Sequence, residues 1–457
     1  MKIVNRLVQS VLMLGILIAP PLFIKGDGDT FAATPTQQKI VYTQVRGTEN
    51  SGDSDFGADL IVMNKDGSNK VNITNSADKF EAFAEWSPNG SQIAYISSNQ
   101  SGGDAGLMVV NSDGTNKRSE QDAVGSEEIN TGFGFFEWMK DGKNLFVFGG
   151  QSPSLYVASS FNTEAMVHTV LGEIPIESGH VIDADYNAEK NYIFLNIANE
   201  PSISDQSTCS LYIIKLDEGL EKNLVSENDG HCVQTFSSPS GNKVMQSIAD
   251  LADGQPAGNP GSYTYSIVIN NSETYEQDFY EDVGSLFEVH PKSPWSQSEE
   301  FILIGDTEFG VPFNGMRLLN VSDGSIREDV SIAGTRNIPW GQIIDGDSNI
   351  LFDMTNAGVS GGDPNFSYIG VYNIETGQIV NLTGGDEYYE VYSDIYPNSS
   401  TDEPELPFVD PSTIAPPRTG VSVSVLSVLV ATLSVLSLIG YGSAKTISKR
   451  SFSGSER

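Results

Sequence analysis

Carboxylates crowd one early loop, where Asp53, Asp55 and Asp59 alternate with small residues, and Asp104 sits in the next loop of the same kind. Glycines between such acids let a loop bend round a hard cation, so calcium is the one cofactor these residues bring to mind. No twelve-residue loop ending in Glu accompanies them, and the expectation otherwise is of no cofactor. The string 358-GVSGG-362 satisfies G-x-S-x-G. A nucleophile elbow needs a strand-to-helix turn on an α/β sheet, and this string lies in a turn-rich segment with no hydrolase pattern behind it. His168, His180, His231 and His290 show neither metal-ligand nor triad spacing. No glycine-rich phosphate loop stands between a strand and a helix. Rings are the better clue: Phe309, Phe313, Phe366, Tyr388 and Tyr389 fall in long polar connections beside acids, where they can stack on a sugar or anchor a protein.

Composition sets what can carry those residues. The 457-residue chain has 45 Gly and 21 Pro, only 19% charged residues, and a net charge of -35. High turn content with low helix-forming content favours a large all-β domain. The acidic balance excludes nucleic acid as a partner, because phosphate binding requires a basic face.

Two segments concern address. Lys2 and Arg6 precede the apolar run 7-LVQSVLMLGILIAPPLFI-24, followed by small residues at Ala32 and Ala33; the order matches a secretory signal over 1–33. Near the other end, 421-VSVSVLSVLVATLSVLSLIG-440 is uncharged and long enough, at about 1.5 Å per residue, to cross a bilayer as a transmembrane helix over 421–441. Lys445, Lys449 and Arg450 follow, so residues 442–457 are expected to remain in the cytoplasm with the large domain outside. The acidic, Pro-rich stretch 401–420 reads as an extended stalk. Cys209 and Cys232 are the only cysteines, and in an exported chain they point to a disulfide. Closing a loop of that length constrains the unfolded chain by about 3 kcal/mol.

The elements that position all this repeat. In 86-WSPNGSQI-93 a head residue precedes the first apolar residue of the next strand by seven, and the offset recurs in 138-WMKDGKNL-145, 186-YNAEKNYI-193, 237-SSPSGNKV-244, 295-WSQSEEFI-302 and 343-IIDGDSNI-350. Pro, Asn and Gly in the turn suit a tight hairpin. A second unit follows each: 60-LIVMNKDGSNKVNIT-74, 107-LMVVNSDGTNKR-118, 155-LYVASSFNTEAMV-167 and four later copies, each strand, polar turn, strand. Together they make a four-stranded sheet that cannot bury both faces alone, so neighbours must stack radially. The chain begins in mid-repeat at 40-IVYTQV-45 and ends the pattern at 392-YSDIYPNSS-400. The expected fold is therefore a β-propeller over 38–400, of seven four-stranded blades closed by N- and C-terminal strands, with the signal segment before it and one transmembrane helix after it.

The pattern W-S-P-N-G-x-x-I-A-Y, followed by L-M-V-V-N-S-D-G-T, resembles the TolB-type, WD40-like propeller repeat. That resemblance implies an extracytoplasmic propeller that binds protein partners or, in enzyme relatives, supports a catalytic site. The order of 416-PPRTG-420, apolar span and basic tail resembles a sortase cell-wall sorting signal, with Pro416 in place of the usual Leu. It implies cleavage between Thr419 and Gly420, with sortase and the cell wall as partners.

Within each blade the first and third turns are short, while the second turn and the link to the next blade are long, and the long connections leave from one side. Binding usually resides in such loops. The expected role is a surface-anchored, non-enzymatic module that presents its long-loop face to an extracellular protein or glycan. The alternative is a propeller-class polysaccharide lyase or hydrolase with a carboxylate or His at the channel mouth.

Overall fold

The computed structural model describes residues 38–46, 57–99, 105–125, 132–152, 154–202, 204, 206–251, 263–284, 293–305, 316–327, 337–355, 367–384 and 389–396. The signal segment, stalk, span and tail all lie outside these residues, as do Asp53, Asp55, Asp104, Phe309, Phe313, Phe366, Tyr388, Thr419 and Gly420. Among the described residues no helix is long and apolar enough to cross a membrane. The described strands belong to one compact unit that takes in Gln38–Thr401.

Strands β1 (Lys39–Arg46), β2 (Gly57–Asn64) and β3 (Val71–Asn72) come first. A four-stranded unit follows as β4 (Lys79–Trp86), β5 (Gln92–Asn99), β6 (Gly106–Asn111) and β7 (Arg118–Ser119). The next is β8 (Gly132–Trp138), β9 (Asn144–Ser152), β10 (Leu155–Asn162) and β11 (Val167–Pro175). Then come β12 (His180–Asn187), β13 (Tyr192–Ala198), β14 (Thr208–Lys215) and β15 (Asn223–Asp229). After these are β16 (His231–Ser237), β17 (Lys243–Leu251), β18 (Tyr263–Asn271) and β19 (Gln277–Gly284). A shorter unit holds β20 (Phe301–Gly305), β21 (Met316–Asn320) and β22 (Ile326–Arg327). The last strands are β23 (Asn337–Ile344), β24 (Asn349–Thr355), β25 (Ser367–Asn373), β26 (Ile379–Asn381) and β27 (Tyr389–Tyr396).

The architecture is all-β, built of successive antiparallel sheets, and it fits a propeller. The offset of seven in the sequence proves to be a strand pairing. Trp86 faces Ile93, Trp138 faces Leu145, Tyr186 faces Ile193, Ser237 faces Val244, Trp295 bridges to Ile302, and Ile343 faces Ile350. Each turn motif therefore joins an innermost strand to its neighbour. The Trp295–Ile302 bridge supplies a first-strand contact to the three-stranded sheet β20-β21-β22. One departure from separate sheets arises at a single parallel pair, Ala58 with Phe80, which joins β2 to β4 and merges two units into one eight-stranded sheet.

The core lies between sheets, as expected when both faces of each are apolar. Val41, Leu60, Trp86 and Tyr95 pack together across β1–β2 and β4–β5. Ile96, Val109, Trp138 and Phe161 fill the next space, then Phe146, Phe148, Tyr186 and Ile193. Phe194, Leu211 and Val244 follow, then Phe236, Met245, Trp295 and Ile302. Leu303, Leu318, Ile343 and Phe352 come next. Ile344 and Leu351 pack on Ile40 and Tyr42, which returns the series to the first strand. Each fully buried ring or branched chain contributes about 1.5 to 3 kcal/mol. Two head-of-turn indoles also donate across sheets, Trp138 Nε1 to the Glu85 carbonyl at 3.2 Å and Trp295 Nε1 to the Phe236 carbonyl at 3.0 Å, whereas Trp86 Nε1 is buried without an acceptor.

Strand β27 pairs antiparallel with β1, from Lys39 with Tyr396 to Val45 with Tyr389. Its last residue reaches the first turn motif: the Trp86 and Tyr396 ring centroids lie 5.9 Å apart. Gly90, in that turn, has φ of +66° and would place a Cβ 2.1 Å from the Tyr396 ring. Both the left-handed backbone and the close approach require glycine. Gly90→Ala is expected to destabilise the chain by about 2 kcal/mol or more in urea unfolding, through strain and overpacking. An unchanged unfolding midpoint would show that Tyr396 does not pack on this turn.

Candidate functional site

An innermost strand has one edge paired within its own sheet and one edge that faces the neighbouring unit, so its amides on that side need acceptors. Carboxylates supply several of them. Asp183 and Asp185 on β12 accept the backbone N–H groups of Thr235 and Ser237 on β16, at 2.7 and 2.9 Å. Asp394 on β27 accepts the N–H of Trp86 on β4 at 2.9 Å, and Asp353 on β24 accepts the N–H of Ser393 at 3.2 Å. Burial pushes the Asp185 carboxyl up to about 6. Asp183 is also pushed up, first by burial and further by the Asp185 charge beside it.

These strands converge on a cavity of about 230 Å³. It takes Glu137 from β8, Asp185, Tyr186 and Asn187 from the end of β12, Ser237 from β16, Trp295 ahead of β20, and Gln342 from β23. Side chains from five successive units thus meet around one space. It lies where the first turns leave the innermost strands, at the opposite end from the long second connections.

Three of the donors around the cavity are already engaged. Asn187 Nδ2 donates to Ser237 Oγ at 3.0 Å and to the Ser238 carbonyl at 2.9 Å. The Tyr186 hydroxyl donates to Asn191 Oδ1 at 2.9 Å, its ring stacked 4.3 Å from Phe146. The Trp295 indole is spent on Phe236. Gln342 Oε1, by contrast, is buried with no hydrogen-bond partner. No Lys, Arg or His lines the cavity. The lining is therefore polar and acidic, with Glu137 and Asp185 among its residues.

The structure places few of the sequence-derived site residues here. Tyr389 opens β27 and faces Val45 in the ladder; the other four rings of the long loops lie outside the described residues. Asp59 is 2% exposed within β2. Its carboxylate meets Arg46 Nε at 3.1 Å, Asn72 Nδ2 at 2.8 Å and the Ser76 N–H at 2.8 Å. Among the described residues no three His, Cys, Asp or Glu side chains are grouped to hold a metal ion. Cys209 and Cys232 form a disulfide, with Cα atoms 5.0 Å apart. Cys232 lies inside β16 rather than in the link before it, so the bond ties β14 to the innermost strand of the next unit. It is sealed by Ala198, Ile248 and Val268.

The fold also aligns three residues whose sequence spacing gave no sign of it. His168 Nε2 is 2.8 Å from Ser159 Oγ, and its Nδ1 is 2.5 Å from Glu120. Ser159 is 1% exposed and its hydroxyl donates to the Val147 carbonyl at 3.1 Å. The trio straps the short helical turn at Glu120–Asp122 to β10 and β11.

No family model matches the chain, and no curated protein matches it either. Solved structures do. The β-propeller domain of the Trilobed protease from Pyrococcus furiosus is 14% identical with a TM-score of 0.47, covering 76% of this chain and 94% of that one. An oligogalacturonate lyase in complex with manganese is 11% identical with a TM-score of 0.45, over 68% of this chain and 87% of that one. TolB from Acinetobacter baumannii is 8% identical with a TM-score of 0.37, over 79% and 83%.

The raised Asp185 carboxyl has a consequence for stability. The folded chain favours the protonated form, so this contribution is complete below about pH 4, where the unfolded carboxyl is protonated as well. It is lost as pH rises through about 6. The urea midpoint is expected to fall between about pH 4 and pH 7, where Asp185 and Asp183 ionise in the unfolded chain before they do in the folded one, and Asp185→Asn to lessen that fall while keeping an acceptor for Ser237. A wild-type midpoint that rises over this range, or an Asp185→Asn profile of the same slope, would contradict the assignment.

Proposed function

We propose that the chain is an exported, surface-held propeller that works as a binding module, with the cavity at the first-turn end of its channel as the binding site. The observation that carries this is the meeting of five units' innermost strands around one partly unsatisfied space. Polar groups converging in a concave site on a rigid scaffold are the general mark of a binding site. The reading moves the site from the long-loop face, which the sequence favoured, to the opposite mouth. An extracellular protein or glycan is the partner.

The scaffold on this reading is a ring of seven four-stranded blades, one stitched from β27 and β1–β3. Support comes from contacts that pass from turn to turn: Asn89 to Gly142, Lys140 to Glu189, Asn187 to Ser238, Ser240 to Glu299, Gln297 to Asp347, and Asp345 to Lys65. The Gly90–Tyr396 approach joins the last to the first. Residues 1–33 direct export, 401–420 form a stalk, 421–441 span the membrane, and 442–457 remain inside. Processing between Thr419 and Gly420 would transfer the same domain to the cell wall.

A second reading rests on the Asp185 carboxyl. A buried acid raised to about 6, in a cavity that Glu137 also lines, is suited to proton transfer. Turnover of an extracellular polysaccharide that disappears in Asp185→Asn would establish it.

Full-length chain displayed on cells is expected to retain a partner from surface extracts, and Gln342→Arg, which fills the cavity, to release it. Retention unaffected by Gln342→Arg would sink the cavity as the site. External protease on intact cells is expected to remove the propeller and spare residues 442–457; digestion of the tail, or protection of the propeller, would reverse the topology.

A further inference from the structure

We infer that Asn320 is a glycan acceptor, whose side-chain nitrogen takes a saccharide from a polyprenyl-phosphate-linked donor. The inference rests on the reading that the chain is exported, and it adds a modification site apart from the cavity. An acceptor tripeptide has the form Asn-x-Ser/Thr, where x is not Pro. Six such tripeptides start within the described residues, at Asn72, Asn89, Asn99, Asn270, Asn320 and Asn381. Transfer needs an Nδ2 that is neither sealed nor spent. Asn270 is 0% exposed, and Asn381 Nδ2 is buried. Asn72 Nδ2 donates to Asp59 Oδ2 at 2.8 Å, and Asn89 Nδ2 to the Gly142 carbonyl of the next unit's turn at 3.2 Å. Ser101, the hydroxyl residue that goes with Asn99, lies outside the described residues.

Asn320 differs, and the equivalent turns of other units show why. In 64-NKDGS-68 and 111-NSDGT-115 the Asn N–H donates to the carbonyl of the last residue, at 2.9 and 3.0 Å, and the Gly N–H donates back to the Asn carbonyl, at 2.9 and 2.8 Å. In 320-NVSDGS-325 the same two bonds close the turn, Asn320 N–H to the Ser325 carbonyl and Gly324 N–H to the Asn320 carbonyl, both at 2.9 Å, with one more residue enclosed. The shorter turns spend the Asn nitrogen on the hydroxyl at the far end: Asn64 Nδ2 donates to Ser68 Oγ at 2.9 Å and Asn111 Nδ2 to Thr115 Oγ1 at 3.0 Å. In the longer turn Asn320 Oδ1 instead accepts the Ser322 N–H at 2.9 Å and the Ser322 hydroxyl at 2.8 Å. Its Nδ2 donates to no described residue and is not sealed from solvent. Ser322 and Asp323 beside it are exposed. One added residue thus creates the tripeptide and frees its nitrogen.

The bonding also suits the chemistry. An amide nitrogen is a poor nucleophile because its lone pair is delocalised into the carbonyl. Two donors on Oδ1 favour the imidate form, in which Nδ2 has given up a proton and the charge rests on oxygen. Nδ2 then bonds the anomeric carbon as the bond from that carbon to the donor phosphate breaks. The electron pair leaves with the phosphate, and the proton lost from Nδ2 goes to a base of the transferring enzyme. Asn320 is not among the residues that line the cavity, so the saccharide stands outside it.

The test uses full-length chain recovered from the cells that make it, digested and read by mass spectrometry with electron-transfer fragmentation. The peptide that holds Asn320 is expected to carry an increment of whole sugar residues, placed on Asn320. Asn320→Gln and Ser322→Ala are each expected to remove the increment completely, and Ser322→Thr, which keeps the hydroxyl, to retain it. An increment that survives Ser322→Ala, or one found instead on Asn72, Asn89, Asn270 or Asn381, overturns the inference. So does an unmodified Asn320 peptide, and external protease on the same intact cells then shows how much falls. If protease removes the propeller, export stands and the acceptor alone is wrong. If the propeller is protected, both are wrong.

Discussion

The structure depends on satisfying the outward amides of its innermost strands. Within a sheet every strand but the first and last has two neighbours, and the innermost one must find acceptors in the next unit. Asp185 on Ser237, Asp183 on Thr235, Asp353 on Ser393 and Asp394 on Trp86 do this with buried or half-buried carboxylates. A hydrogen bond to a charged group is worth about 1.5 to 3 kcal/mol net, more than a neutral one, which offsets part of the cost of burying the acid. One of these acids, Asp185, also lines the cavity.

Apolar packing works with these bonds and is not specific to them. Each sheet is greasy on both faces, so any stack would bury it. At two junctions the head-of-turn residue adds direction, its ring crossing to the preceding sheet while its indole donates to a carbonyl there, Trp138 to Glu85 and Trp295 to Phe236. The disulfide from Cys209 to Cys232 fastens one such junction covalently. Glu120 and His168, 2.5 Å apart, meet at another.

Much of the fold could be read from the chain because its cause is local. Pro, Asn and Gly in 87-SPNG-90 specify a hairpin regardless of what lies around them, and the seven-residue offset is the ladder pair Trp86–Ile93 seen in one dimension. The recurrence of that offset then marked where successive hairpins lie along the chain. The cysteine pair was readable for the same reason, since only one partner was on offer. The cavity was not readable, because it is assembled from single residues about fifty apart. One signal was present: Glu85, Glu137, Asp185 and Gln342 each precede the residue that heads the turn, so a single repeat position carries a polar acceptor in four of the six copies, with Phe236 and Pro294 in the other two. Long loops drew the eye by their composition, whereas this position is visible only once the copies are aligned by their pairing. The parallel pair of Ala58 with Phe80 left no trace in the pattern, being one contact between strands that otherwise belong to different units.

Native-state hydrogen exchange of the Trp86, Thr235 and Ser237 amides tests the central claim most directly. If carboxylates of the neighbouring unit hold them, these amides exchange as slowly as those of the central strands β5 and β17, and Asp394→Ala speeds Trp86 while leaving Ser237 slow. Fast exchange of all three in the wild-type chain, at the rate of an open sheet edge, would contradict it.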